Sequence, residues 1–330
     1  AFTSLLGADA QLGPGEMALF ESFVFSMRYP PNPFRELDGS LPASLNGADP
    51  VSGEQLYLTG NLVGGLDCVS CHALPTGENG LIIPANALQE DEAKVVPQLR
   101  NLYEKTRFDD QAATNVRGFG FTHDGAVDDL STFLEFPGFT FGSVSDQRDV
   151  EAFLLAFDTG THPGVGAQWC ANGSADPQGE ARLATLMDAS ELGSIDLVAR
   201  SLSADGLPFG WTYANDGTWV PSRAAEPAVS TATLLAGAGP GTEITFTGVL
   251  VGEGVRLGIA RDEDGALDTD ESLGGGDPGD PLVQPDGTQP TGAPGWSGHR
   301  LALRVTGPVP VSSTASFLLR EPVSAGAVVD

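Results

Sequence analysis

The chain has 330 residues, room for two or three domains, and its 44 acidic against 16 basic side chains give a net charge of −28. A polyanion of this kind repels phosphate, which excludes a nucleic-acid partner, and its carboxylates can collect hard cations such as Ca²⁺. No apolar run reaches the ~18 residues of a membrane span, and no basic stretch followed by an apolar one marks a leader.

Along the chain, three textures predict three domains. Residues 1–168 are rich in Phe and Leu and show helical periodicity. Residues 14–29 read as an amphipathic helix stopped by Pro30 and Pro31. Ser52 and Gln55 have the spacing of a capping box that opens a second helix. Leu130, Phe133 and Leu134, then Val150, Phe153, Leu154 and Phe157, repeat at helical intervals. Residues 169–260 read as a small α+β module, with a helix near 179–189 and extended runs at 196–202, 209–213 and 243–251. Residues 261–330 form an acidic Gly/Asp/Pro loop to 298 and an extended tail, with strands expected at 301–305 and 315–319. The expected fold is therefore a mainly α first domain wrapped around a flat cofactor, followed by the small module and the loop and strand tail.

One motif carries specific chemistry. Cys68-Val69-Ser70-Cys71-His72 is the C-x-x-C-H pattern of c-type haem attachment. Each cysteine can form a thioether to one haem vinyl group, and the adjacent His72 then sits under the iron as a ligand. A redox dithiol would need a thioredoxin-like βαβ setting, and a zinc site a second pair of ligands; the sequence offers neither.

The motif has company. Gly53-Glu54-Gln55-Leu56-Tyr57, the CVSCH run, Val96-Pro97-Gln98-Leu99-Arg100-Asn101 and Phe119-Gly120-Phe121-Thr122-His123-Asp124-Gly125 follow one another in order. Together they resemble the haem domains of bacterial di-haem cytochrome c peroxidases and MauG-like proteins. More closely still, they are similar to single-haem c-type cytochrome domains of large secreted bacterial proteins, in which a turn like Tyr29-Pro30-Pro31-Asn32-Pro33 precedes the haem segment. The resemblance covers about residues 10–168. It implies a cytochrome c-like first domain, a periplasmic or extracellular setting, and Arg100 beside a haem propionate, where a guanidinium can hold a carboxylate in a fork. The family's methionine ligand is missing, since Pro137 stands at the corresponding position. His123 is the favoured sixth ligand of the iron, in an aromatic, glycine-rich loop; Met17, Met27 and an open position are the alternatives.

A second constellation lies in the acidic loop. The run from Asp262 to Glu271 resembles calcium loops of the EF-hand and thrombospondin type 3 kinds, with Asp262, Asp264, Asp268 and Glu271 as candidate ligands and Gly265 at the sharp turn. Position one of the twelve-residue pattern falls on Ala260, which leaves Asp277 or Asp280 to substitute. Cys170 has no partner in the sequence and reads as a buried free thiol. The functional expectation is an extracytoplasmic mono-haem carrier of single electrons, working with redox proteins or with copies of itself, with haem c and Ca²⁺ as its cofactors. The alternatives are a peroxidase-like enzyme reducing H₂O₂, or a haem fragment of a larger secreted protein.

Overall fold

A computed structural model describes residues 11–88, 91–106, 120–122, 124–203 and 206–280, together with the backbone of 300–302 and 316–318. The chain divides into two compact units: residues 29–259, and residues 1–28 with 260–330. The first helix, α1 (Pro14–Ser26), opens on a proline at its first position and on Glu16, whose carboxylate accepts from the Gly13 N–H at 2.7 Å. It stops three residues short of the predicted end, and no residue on it is buried.

The unit of residues 29–259 begins with a helical half. It comprises α2 (Pro50–Thr59), a single 3₁₀ turn at Cys68–Ser70, the short strand β1 (Ile82–Ile83), α3 (Ala85–Leu88), β2 (Lys94–Val95), α4 (Leu102–Lys105), α5 (Leu130–Leu134) and α6 (Val144–Leu155). Acidic and hydroxyl caps set the helix starts. Asp49 accepts from Val51 and Ser52, Asp129 from Thr132, and Ser143 from Asp146. Helix α2 thus starts three residues before the expected capping box: Pro50 suits only a first turn, and Ser52 donates its hydroxyl to Asp49 instead.

Helices α2 and α6 cross backbone to backbone at Gly53, where an added Cβ would lie 1.9 Å from the Asp149 carbonyl oxygen. Around that crossing Tyr57, Leu130, Val150, Phe153 and Phe157 form a core in which each is at most 2 % exposed. The end of α6 leaves carbonyls without helical partners. Asn32 of the Tyr-Pro-Pro-Asn-Pro turn donates its side-chain amide to the carbonyls of Leu155 (2.9 Å) and Phe157 (2.8 Å), and Arg35 donates to Ala156 (2.9 Å).

The same unit continues with β3 (Gln168–Ala171), α7 (Pro177–Glu191), β4 (Asp196–Leu202), β5 (Pro208–Tyr213), β6 (Thr218–Pro221), β7 (Val229–Ser230), α8 (Thr231–Ala236), β8 (Ile244–Val249) and α9 (Gly254–Gly258). The six strands make one antiparallel sheet in the order β3-β8-β4-β5-β6-β7, with Val198 on β4 opposite both Thr212 and Thr247. Leu183 and Leu186 of α7 join Leu197, Trp219 and Phe246 of the sheet in a second core. In the other unit, α10 (Asp268–Gly274) follows the acidic loop, and β9 (Arg300–Ala302) pairs antiparallel with β10 (Ser316–Leu318).

The expectation of a mainly α fold is overturned: the protein is α+β, and the six-stranded sheet carries a core of its own. Strands β3, β6 and β7 are two to four residues long, too short to show the two-residue alternation by which strands are read from sequence. Helix α10 likewise lies within what was expected to be loop. Cys170, expected buried, is exposed on the edge strand β3. Among the described residues no helix is long and apolar enough to cross a membrane.

Asn32 is 2 % exposed and holds two carbonyls that would otherwise be buried without partners. Asn32→Ala is expected to lower unfolding free energy by about 2–3 kcal/mol, measured by denaturant titration, the cost of stranding these groups.

Candidate functional site

The C-x-x-C-H motif sits on the 3₁₀ turn after α2. The N–H groups of Cys71 (3.2 Å) and His72 (2.9 Å) both return to the Cys68 carbonyl, so the five residues are wound tightly. Asp67 just before the turn accepts from the Asn61 N–H at 2.8 Å, and Asn79 donates to the Ser70 carbonyl at 3.1 Å. From the core beneath, the buried Tyr57 hydroxyl donates to the His72 carbonyl. Burial first, then the nearby Cys68, raises the Tyr57 phenol above its ordinary value, so it remains a donor.

The His72 ring is fixed through Nδ1, which lies 2.8 Å from the Gly77 carbonyl oxygen and 3.1 Å from that of Pro97. Both partners are acceptors, so Nδ1 carries the proton and the Nε2 lone pair is left for a metal. Gly77 makes this geometry possible. Its φ of +74° is a left-handed conformation, and a Cβ there would meet the Leu99 side chain at 2.6 Å and its backbone nitrogen at 2.8 Å.

Cys68 is not poised as the reactive thiol of a redox dithiol. Burial, followed by the charges of Asp67 and Cys71, outweighs a backbone hydrogen bond and pushes the Cys68 thiol up to about 11, the wrong direction for a reactive thiolate.

Apolar side chains stand open beside the motif. Ile82 and Val95 face each other across β1 and β2 and are 66 % and 57 % exposed; Leu74 and Leu81 are exposed as well. Arg100 is half-buried, with its guanidinium 4.8 Å from the centre of the Tyr29 ring and its Nε 3.4 Å from Gln98 Oε1. Next to it, Asn101 adopts φ +70° and buries an Oδ1 with no hydrogen-bond partner. His123 lies outside the described residues. Met17 and Met27 are exposed, on α1 and at its C-cap. His162 accepts from the Gly164 N–H within its own loop. The residues that sequence reasoning gave no role are Tyr57, Gly77 and Pro97, although Tyr57 and Pro97 belong to segments singled out beside the haem motif.

The acidic loop brings together three of its four candidates. Carboxylate oxygens of Asp262, Asp264 and Glu271 lie within 4.8 Å of one another. Asp268 is turned elsewhere: it accepts from the Arg261 N–H at 2.6 Å, and its other oxygen is 3.9 Å from the Arg261 guanidinium. Burial and the neighbouring carboxylates push Glu271 up to about 7, and burial first, with Asp264 and Asp268, pushes Asp262 up to about 6. Neither Asp277 nor Asp280 joins the cluster.

Two outcomes follow. Gly77→Ala is expected to cost about 2 kcal/mol or more, through strain and overpacking against Leu99, in chemical denaturation. In chelator-treated buffer the acidic loop should lose stability as pH rises. Glu271 and Asp262 have folded values raised above their ordinary 4.5 and 3.8, so the stability they favour is complete below those values and gone above about 7 and about 6. Hydrogen exchange across residues 261–276, corrected for the intrinsic effect of pH, measures that loss.

No protein-family model, curated protein or solved structure matches the chain.

Proposed function

We propose that this protein is an extracytoplasmic single-haem c-type cytochrome that carries one electron at a time. Its haem c is attached through Cys68 and Cys71, and His72 Nε2 ligates the iron. The observation that supports this most directly is the hold on His72 Nδ1 by the Gly77 and Pro97 carbonyls, which fixes the tautomer and leaves the other nitrogen free. The open apolar faces of Ile82 and Val95 suit a flat apolar ring lying against the motif.

The haem supplies the one-electron iron couple; the chain supplies what tunes it. Donation from Nδ1–H to two carbonyls makes His72 a better electron donor to the iron, which favours the oxidised metal. Arg100 offers a half-buried cation for a propionate, steadied by Tyr29. His123 is the proposed second axial ligand. The acidic surface favours basic redox partners, and the paired strands β9 and β10 offer an edge to copies of the chain.

The test is expression of the full chain in a host with a c-type maturation system. The expected product is coloured, gains the mass of one haem and keeps it on denaturation, and the double variant Cys68→Ala, Cys71→Ala loses it. Colourless protein at the bare polypeptide mass would refute the reading. His123→Ala should convert a low-spin ferric spectrum to high-spin, and a wild-type high-spin centre that consumes peroxide would move the reading to the peroxidase-like enzyme.

A further inference from the structure

We propose that the acidic loop after residue 260 is a Ca²⁺ site built from the carboxylates of Asp262, Asp264 and Glu271. The proposal uses residues remote in sequence from the haem motif and stands or falls independently of it.

Clustered acids on a surface are common and mean little by themselves. Glu271 is different: it is 0 % exposed, and neither of its side-chain oxygens has a hydrogen-bond partner. Asp262 buries an unpartnered Oδ2 too, and a Glu271 oxygen lies within 4.8 Å of oxygens from Asp262 and Asp264. A buried carboxylate without a donor is costly, and one set beside two further carboxylates is costlier still. A divalent cation between them removes that cost. The loop's own cation does not serve, because Arg261 lies beside Asp268.

The backbone is shaped to converge these groups. Asp262 Oδ1 accepts from the Asp264 N–H at 3.3 Å, and Asp264 Oδ1 from the Ala266 N–H at 2.8 Å, which curls the loop. Gly265 turns it at φ +104°, and Glu263 also takes a left-handed φ of +59°. Helix α10 then starts at Asp268 and carries Glu271 on its first turn. Counted from Ala260, the three converging acids occupy positions three, five and twelve, with glycine at six. That spacing leaves the position-seven carbonyl, of Ala266, as a further oxygen donor.

Calcium fits better than magnesium. Ca²⁺ accepts six to eight oxygens in irregular arrangements, whereas Mg²⁺ demands a near-octahedral set and holds its waters. The alanine at position one removes a usual ligand, so affinity should be modest, with Kd between about 10 µM and 1 mM.

Calorimetric titration of the chelator-treated full chain with Ca²⁺, and in parallel with Mg²⁺, tests this, with hydrogen exchange over residues 261–276 as a local readout. One Ca²⁺ per chain in that range is expected, with added protection across the loop and a weaker response to Mg²⁺. Glu271→Gln and Asp262→Asn should each weaken Ca²⁺ binding at least about tenfold. In chelator the same variants should be better protected than the wild type, because each removes one carboxylate from a mutually repelling cluster, and Glu271→Gln also removes a buried charge that has no donor. The proposal is overturned if the wild type gains neither heat nor protection at Ca²⁺ concentrations well above ~1 mM. It is equally overturned if both variants bind like the wild type, or if both lose protection in chelator.

Discussion

An imidazole can offer one ring nitrogen in a fixed direction only when its other nitrogen is held, and the organisation around the C-x-x-C-H motif depends on that hold. The two carbonyls that grip His72 Nδ1 come from Gly77 and Pro97, five and 25 residues further along the chain. Bringing them to one ring requires the intervening segment to fold back on itself. It does so through backbone bonds from Leu99 to Thr76 (3.1 Å) and from Val96 to Leu81 (2.9 Å), and through Ile82 opposite Val95. Gly77 then packs directly on Leu99, a contact no larger residue allows. The direction of the His72 ring is thus a property of a closed loop, and a disturbance anywhere in that closure reaches the ring.

Below the motif, the same constraint is carried into the core by Tyr57. Its ring packs on Phe153 at 5.1 Å between centroids while its hydroxyl serves the His72 carbonyl, so α2, α6 and the motif share one side chain. A ten-residue helix such as α2 has little stability alone. It is ordered by its crossing with α6 at Gly53, where the absence of a side chain outweighs the poor helix propensity of glycine. The far end of α6 is in turn closed by Asn32 and Arg35, which satisfy three successive carbonyls. Local sequence choices that look unrelated, a turn asparagine and a helical glycine, therefore support the same histidine.

How much of this could be read in advance follows the same physics. The heptapeptide-scale signals were legible: Leu130, Phe133 and Leu134 lie on α5, Val150, Phe153 and Leu154 on α6, and the strand expected at 196–202 matches β4. Long periodic segments announce themselves because burial repeats along them. The sheet as a whole did not, because β3, β6 and β7 owe their existence to neighbours rather than to their own patterns. At the motif, the residue types in CVSCH carry the proposed chemistry, but the partners of Nδ1 are backbone carbonyls, which any sequence possesses. In the acidic loop, the spacing indicated the acids that converge but also included Asp268, which the Arg261 backbone and guanidinium draw aside.

The two constellations treat buried polar atoms in opposite ways. Around His72, the ring nitrogen, the backbone carbonyl and the preceding turn are all hydrogen-bonded, so what remains unsatisfied is a single lone pair with one direction. Around Glu271, the protein withholds partners from two oxygens and sets further carboxylates against them. Satisfied networks give rigidity and can tune a ligand already committed to its place. Unsatisfied anions store an unfavourable energy that only a proton or a cation relieves, so they respond to what the surrounding solution contains. In a chain whose net charge is −28, carboxylates are cheap to place on the surface and expensive to bury together. Burying Glu271 completely while denying it a donor therefore points to a chain shaped around something that arrives from outside it.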